Sequence, residues 1–259
     1  MLRVAAIVVN AIPSANDADI ALAYFQANSP RNSATERETR FIYDAASRLT
    51  ASAVAQGVKN GQLHYAITRN TLDKAGNIIA STAYATPFTT AQDNTISSAA
   101  IAAFAQNPPL NSELDQTSRT FYDAAQRPIY SINSAGSVTQ NRFDANGNIT
   151  LQVRYATPIV DNISSNISSS ITTQAALEAA ITPKGQTFAN MALWVNDGKN
   201  RLVASIFDAA GQAIVQIDGL GNVIKRQYDG LGKNRQTTTY AAPINPSLVA
   251  NKPTLASID

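Results

Sequence analysis

The sequence predicts a mainly β protein: a meander of short antiparallel hairpins forming a repetitive sheet, with short α-helical linkers between the larger repeats. Three observations predict it. Residues 119–159 return as residues 204–244 at a constant offset of 85, with no gap. Inside each copy a turn-forming segment opening on Asp recurs every 10 or 11 residues, as at Asp208, Asp218 and Asp229. Between copies lie alanine-rich stretches whose larger apolar residues stand three or four apart. A fixed internal period marks a repeat architecture, and strands joined by tight turns at a spacing of about 8–12 residues signal an all-β meander.

In chain order, Val4 to Val9 reads as the last strand of a copy. Val9-Asn10-Ala11-Ile12-Pro13 then matches the Tyr-Ala-x-Pro closure seen later, with Asn10 in the tyrosine position. This explains the apolar start better than a signal peptide does, because the stretch is short, carries the single charge of Arg3, and places Pro13 at the would-be cleavage site. Helices are predicted near 17–26, 98–106 and 173–181, each following Ser, Thr, Asn or Asp and ending before Pro30, Pro108 or Pro183.

The first full copy opens on Ile42-Tyr43-Asp44-Ala45-Ala46, continues through Leu72-Asp73-Lys74-Ala75-Gly76-Asn77 and closes on Tyr84-Ala85-Thr86-Pro87-Phe88. Asp44 and Asp73 are 29 residues apart, against 21 for Asp123 and Asp144 and for Asp208 and Asp229, so eight extra residues lengthen a hairpin around Gln56-Gly57 and Asn60-Gly61. The second and third copies share Phe121-Tyr122-Asp123 with Ile206-Phe207-Asp208, Phe143-Asp144 with Tyr228-Asp229, and Tyr155-Ala156-Thr157-Pro158 with Tyr240-Ala241-Ala242-Pro243.

The turns have a physical logic. Asp or Asn at the first position accepts a backbone hydrogen bond from two residues on, and Gly at the fourth takes a positive φ. A type I turn followed by a left-handed residue closes a short hairpin. The organisation predicted is residues 1–30 as the tail of a copy plus a linker, 31–110 and 111–183 as copies with their linkers, and 184–259 as a copy plus the start of a linker.

Composition narrows function. The 259 residues carry 44% hydrophobic and only 15% charged side chains, with 20 basic and 18 acidic groups leaving a formal +2. No basic run marks a nucleic-acid binder, and no segment reaches the roughly 18 apolar residues of a membrane helix. With no cysteine and one histidine, His64, thiol catalysis, disulfides and multi-histidine metal sites are excluded.

The recurring Asp44, Asp73, Asp123, Asp144, Asp208, Asp218 and Asp229 offer carboxylates for glycoside hydrolysis, but their turn positions already give each a structural job. Asp144-Ala145-Asn146-Gly147-Asn148 starts like a calcium loop, yet an EF-hand needs Gly sixth and Glu twelfth, and here Gly147 is fourth and Tyr155 twelfth. His64 reads as a strand-surface residue. Gly219-Leu220-Gly221 and Gly230-Leu231-Gly232 read as turn glycines, since neither opens a helix or precedes Gly-Lys-Ser/Thr. No Gly-x-Ser-x-Gly elbow occurs. Trp194 reads as a packing residue before the turn Asn196-Asp197-Gly198, and sequons stand at Asn148, Asn162 and Asn166. No catalytic, cofactor-binding or metal-binding residue is therefore assigned.

Tyr43-Asp44, Tyr122-Asp123, Phe207-Asp208, Phe143-Asp144 and Tyr228-Asp229, with the turns Asp144 to Asn148 and Asp218 to Asn222, resemble the YD repeats of the Rhs family, which includes bacterial Rhs toxins, the B and C components of Tc toxins, and teneurins. The resemblance covers nearly the whole chain outside the helical linkers. It implies a long β-sheet ribbon spiralling into a shell, which in bacterial members often encloses a toxic C-terminal effector. Three and a half copies are far fewer than a closed shell holds, so the chain reads as a segment of a larger repeat protein.

The function expected is that of a non-enzymatic structural segment of a shell or scaffold, secreted or at the cell surface. It would be partnered by further YD repeats or a C-terminal toxin domain, with no cofactor, nucleic acid or membrane span. The rival is an adhesion module presenting Tyr and Asn side chains to carbohydrate or a cell-surface protein. Self-association through exposed sheet edges is also expected, above all through the apolar, uncharged strand Val4 to Val9.

Overall fold

The structure, a computed structural model, describes residues 38–91, 98–109, 114–156, 158–159, 171–181 and 201–244. Among these the protein is mainly antiparallel β, with thirteen strands in one sheet and two short helices. The first copy contributes β1 (Thr39–Tyr43), β2 (Leu49–Lys59), β3 (Gln62–Leu72), β4 (Ile78–Ala83) and β5 (Phe88–Ala91), followed by α1 (Ser98–Gln106). The second contributes β6 (Gln116–Tyr122), β7 (Pro128–Ile132), β8 (Val138–Phe143) and β9 (Ile149–Arg154), followed by α2 (Gln174–Ile181). The third contributes β10 (Arg201–Phe207), β11 (Ala213–Asp218), β12 (Val223–Tyr228) and β13 (Asn234–Thr239). Strand order follows chain order from β1 to β13, except that β4 neighbours β6 directly and β5 pairs β3. The predicted helix near 17–26, the strand Val4 to Val9 and Trp194 lie outside the described residues. Neither described helix is long and apolar enough to cross a membrane.

The eight inserted residues of the first copy do lengthen a hairpin. β2 and β3 have 11 residues each, where β7 has 5 and β8 has 6. Asn60 and Gly61 close this hairpin at φ 53 and 73, and a bulge at Gly57 (φ 99) absorbs a register shift between Ala55 and Gly57. The Tyr84 closure lets one edge serve all of the long β3. β4 pairs its second half and β5 its first, and the Tyr84 N–H bonds the Ile67 carbonyl between them at 3.0 Å.

Period-two alternation puts the apolar side chains on one face: β9 and β11 each bury two residues, Leu151 and Val153, Val215 and Ile217. That face is covered by the helices. α1 presses Ile101 and Ala105 onto Ile42, Ala51, Ala53 and Ile67, while α2 presses Leu177 onto a larger core running from Tyr130 to Val223. Phe104 of α1 meets Phe88 of β5 edge to face, with ring centroids 5.4 Å apart. Thr173 caps α2, its hydroxyl accepting the Ala176 N–H at 3.1 Å.

The copies join edge to edge, through the β4–β6 and β9–β10 ladders, and α1 and α2 cover the apolar face. The reason is geometric: a sheet extended by in-plane hydrogen bonds still has one apolar face to bury, and only a second layer does that. Where the two cores meet, that face turns polar. Arg119 stands opposite both Ala80 and Ile132, and the hydroxyls of Thr82 and Thr117 bond at 2.9 Å.

Candidate functional site

The turns recur with one geometry. Asp44, Asp73, Asp123, Asn133, Asp144, Asp208, Asp218 and Asp229 each donate their N–H to the carbonyl four residues on, at 2.9–3.1 Å, and accept the N–H of the residue three on, at 2.9–3.2 Å. In seven of the eight, Oδ1 also accepts the N–H of the third and fifth turn residues; Asp73 takes the fifth. In five of the eight the other carboxylate oxygen is held by the fifth residue's side chain, Arg48, Asn77, Arg127, Asn148 or Asn222.

These hydrogen bonds hold Asp44, Asp73, Asp123 and Asp144 below the usual carboxylate range, the fifth residue's side chain acting most strongly. At Asp218 burial pushes upward, and the bonds from Asn222, Leu220 and Gly221 outweigh it, leaving a net lowering. A carboxylate so occupied acts as a turn bracket. The aspartates follow successive strands, so those at one end of the sheet sit two strands apart, about 9.5 Å. At Asp144, the donors Asn146 N–H, Asn148 N–H and Asn148 Nδ2 occupy the oxygens a calcium ion would need.

The fourth position is left-handed at every turn, with Gly at six of them and Ser47 (φ 58) and Gln126 (φ 61) at the other two. Those two turns are the ones bracketed by arginine, through Arg48–Asp44 and Arg127–Asp123 pairs of 2.7 Å. The extra bonds hold a conformation that a side chain otherwise disfavours. Gly221 and Gly232 lie in turns with φ of 84 and 77, as the sequence reading requires. His64 lies on β3, opposite Gly57 and Thr89, partly exposed.

The concavity in the second copy was not legible in the sequence. An open groove of about 780 Å³ lies along the helix-covered face under α2. Its floor holds Tyr130, Gln140 and Arg142; α2 contributes Gln174 and Glu178; Asp123, Arg127, Asp144 and Phe207 stand at the turn end. The Tyr155 hydroxyl donates to Gln140 Oε1, and Gln140 Nε2 donates to the Tyr130 hydroxyl, both at 2.9 Å. Tyr130 in turn donates to Glu178 Oε1 at 3.3 Å, and Gln174 holds the same oxygen at 2.7 Å. Burial pushes both phenols well above the ordinary tyrosine range, with Glu178 adding to it. Both therefore stay neutral, and the chain ties three strands' worth of sheet to the helix above. Its one sequence signal is Gln140, a polar residue two places after Val138 where alternation calls for an apolar one.

No protein-family model and no curated protein matches the chain. Among solved structures, a TcdB2-TccC3-TEV crystal structure aligns at a TM-score of 0.25 and 11% identity, covering 79% of this chain. A TcdB2-TccC3 structure without its hypervariable C-terminal region aligns equally. A Tc holotoxin pore from Photorhabdus luminescens aligns at a TM-score of 0.20 and 14% identity over 86% of this chain. The chain spans 14% of the length of the first two and 12% of the third.

Proposed function

We propose that this chain is a non-enzymatic structural segment of an Rhs/YD-repeat protein, secreted or at the cell surface, whose sheet forms part of a shell or scaffold that carries or encloses a toxin effector. The observation that carries this reading is the edge-to-edge joining of the copies. Because β4–β6 and β9–β10 are ordinary antiparallel ladders, the same ladder can add another copy at β13, whose side chains are all exposed. The turns supply hydrogen bonding locally and the helices supply the second layer, so the first two copies each bring what lengthening the ribbon needs.

The coding sequence on either side tests this. Further copies with Asp turns at the same beat, followed by a compact and unrelated C-terminal domain that resists proteolysis in the full-length protein, support the carrier reading. Flanks that encode neither overturn it. In isolation the chain should self-associate through its sheet edges; light scattering that shows a monomer across a wide concentration range would count against an extensible edge.

A further inference from the structure

On the sheet face opposite the helices, Arg201 of β10 stands directly across from Arg154 of β9. Residues directly opposite in an antiparallel pair share a face with Cβ atoms about 4.5–5.5 Å apart, and like charges placed so repel. Both side chains are exposed, and among the described residues neither makes a hydrogen bond or ion pair. The fold does not ask for them: the equivalent seam between the first two copies pairs Ala83 with Gln116.

The row continues across the sheet. Arg154 is opposite Thr139, Thr139 opposite Ser131, and Ser131 opposite Thr120. Arg154, Thr139, Ser131 and Thr120 line a shallow concavity of about 620 Å³, and among the described residues none of the three hydroxyls is spent on a hydrogen bond.

We infer that the Arg154–Arg201 seam, with the hydroxyl row beside it, is a binding site for an acidic oligosaccharide. Two guanidiniums without carboxylate partners bind an oxyanion in a fork geometry. The hydroxyls beyond them are uncharged donors and acceptors, suited to the hydroxyls of a sugar chain lying across the strands. Two cations with no aromatic platform in the row are too few for nucleic acid, which asks for many phosphate contacts and for stacking. An apolar peptide finds no apolar side chain in the row. The site is independent of the shell reading, since it concerns one seam and not the extension of the sheet.

Calorimetry on the full chain tests it with three hexasaccharides: a carboxylated oligogalacturonide, a sulfated heparin fragment and neutral cellohexaose. Binding of either acidic chain at least about tenfold tighter than the neutral one is the expected result, and the two acidic arms tell carboxylate from sulfate as the preferred anion. Arg154→Ala with Arg201→Gln, which restores the residues of the other seam, should weaken binding about tenfold or more. It should also raise the thermal midpoint of the free protein by relieving the repulsion. Arg235→Gln, on β13 and off the row, should change affinity by less than about twofold, and Thr139→Val should weaken it about threefold. Equal loss in Arg235→Gln would reduce the effect to overall charge and overturn the proposal. So would tight binding of the neutral chain, no binding of either acidic chain, or tighter binding of a single-stranded oligonucleotide.

Discussion

The Arg127 guanidinium donates from Nη1 to the Asp144 carbonyl oxygen at 2.7 Å, while its Nε and Nη2 clamp Asp123 at 2.8 and 2.7 Å. One side chain thus braces its own turn and ties it to the neighbouring turn at the same end of the sheet, stacked 4.9 Å above the Phe143 ring. Arg48 repeats the arrangement in the first copy, reaching the Asp73 carbonyl at 3.3 Å. Lysine has no planar fork with which to make three bonds to these two oxygens. Arg127→Lys should therefore lower the thermal midpoint, and by more than Arg48→Lys, whose lost bond is longer.

The left-handed Ser47 and Gln126 invite the opposite change. Gly takes positive φ without the steric cost of about 1–2 kcal/mol, at an entropic loss of roughly 0.5–1 kcal/mol. Gln126→Gly and Ser47→Gly should each stabilise the protein by about 0.5 kcal/mol, read as a raised denaturant midpoint at constant slope.

Gly147 and Gly221 share a left-handed backbone, at φ 89 and 84, but not their surroundings. A Cβ at Gly147 meets open space, whereas at Gly221 it runs into the Ile244 backbone carbonyl. Ile244 is also held there by its N–H, which bonds the Gly221 carbonyl at 2.9 Å. Gly147→Val should cost roughly 1–2 kcal/mol. Gly221→Val should cost clearly more, because the closing segment must also move. Equal losses in denaturant unfolding would contradict this.

Tyr155→Phe should destabilise by about 1–3 kcal/mol, because it strips the donor from Gln140 Oε1 in a buried site. Adding Gln140→Leu should cost less than the sum of the two single changes, since the stranded polar group goes with it. A double-mutant cycle measures that coupling; additivity would mean that the two side chains do not act as a unit.

Acid should loosen the sheet. Asp44, Asp73, Asp123 and Asp144 have native carboxyls below their ordinary value of 3.8. Their charged forms are the ones the fold favours, so their contribution is complete above that value and is lost as pH falls through the lowered native ones. The thermal midpoint should be flat from neutrality to about pH 5 and fall below about pH 4. Asp123→Asn should keep the backbone bracket, as Asn133 already does with Oδ1, and flatten part of that fall.

What the sequence determined by itself is what short-range chemistry decides. Hairpin positions, the left-handed fourth residue, the lengthened β2–β3 hairpin and the helices at 98–106 and 174–181 all follow from residues within a few places of each other, because an Asp bracket or a Thr173 cap is closed locally. Tertiary structure alone decided how the pieces meet. Nothing near α1 or α2 in sequence says that they fold back over the sheet; that follows from a whole apolar face needing cover. Likewise Gln140 meets Tyr155 from 15 residues away, and Arg154 faces Arg201 only because β9 and β10 pair in that register. Register is set by burying one face, so the other face's neighbours emerge only once the sheet is assembled.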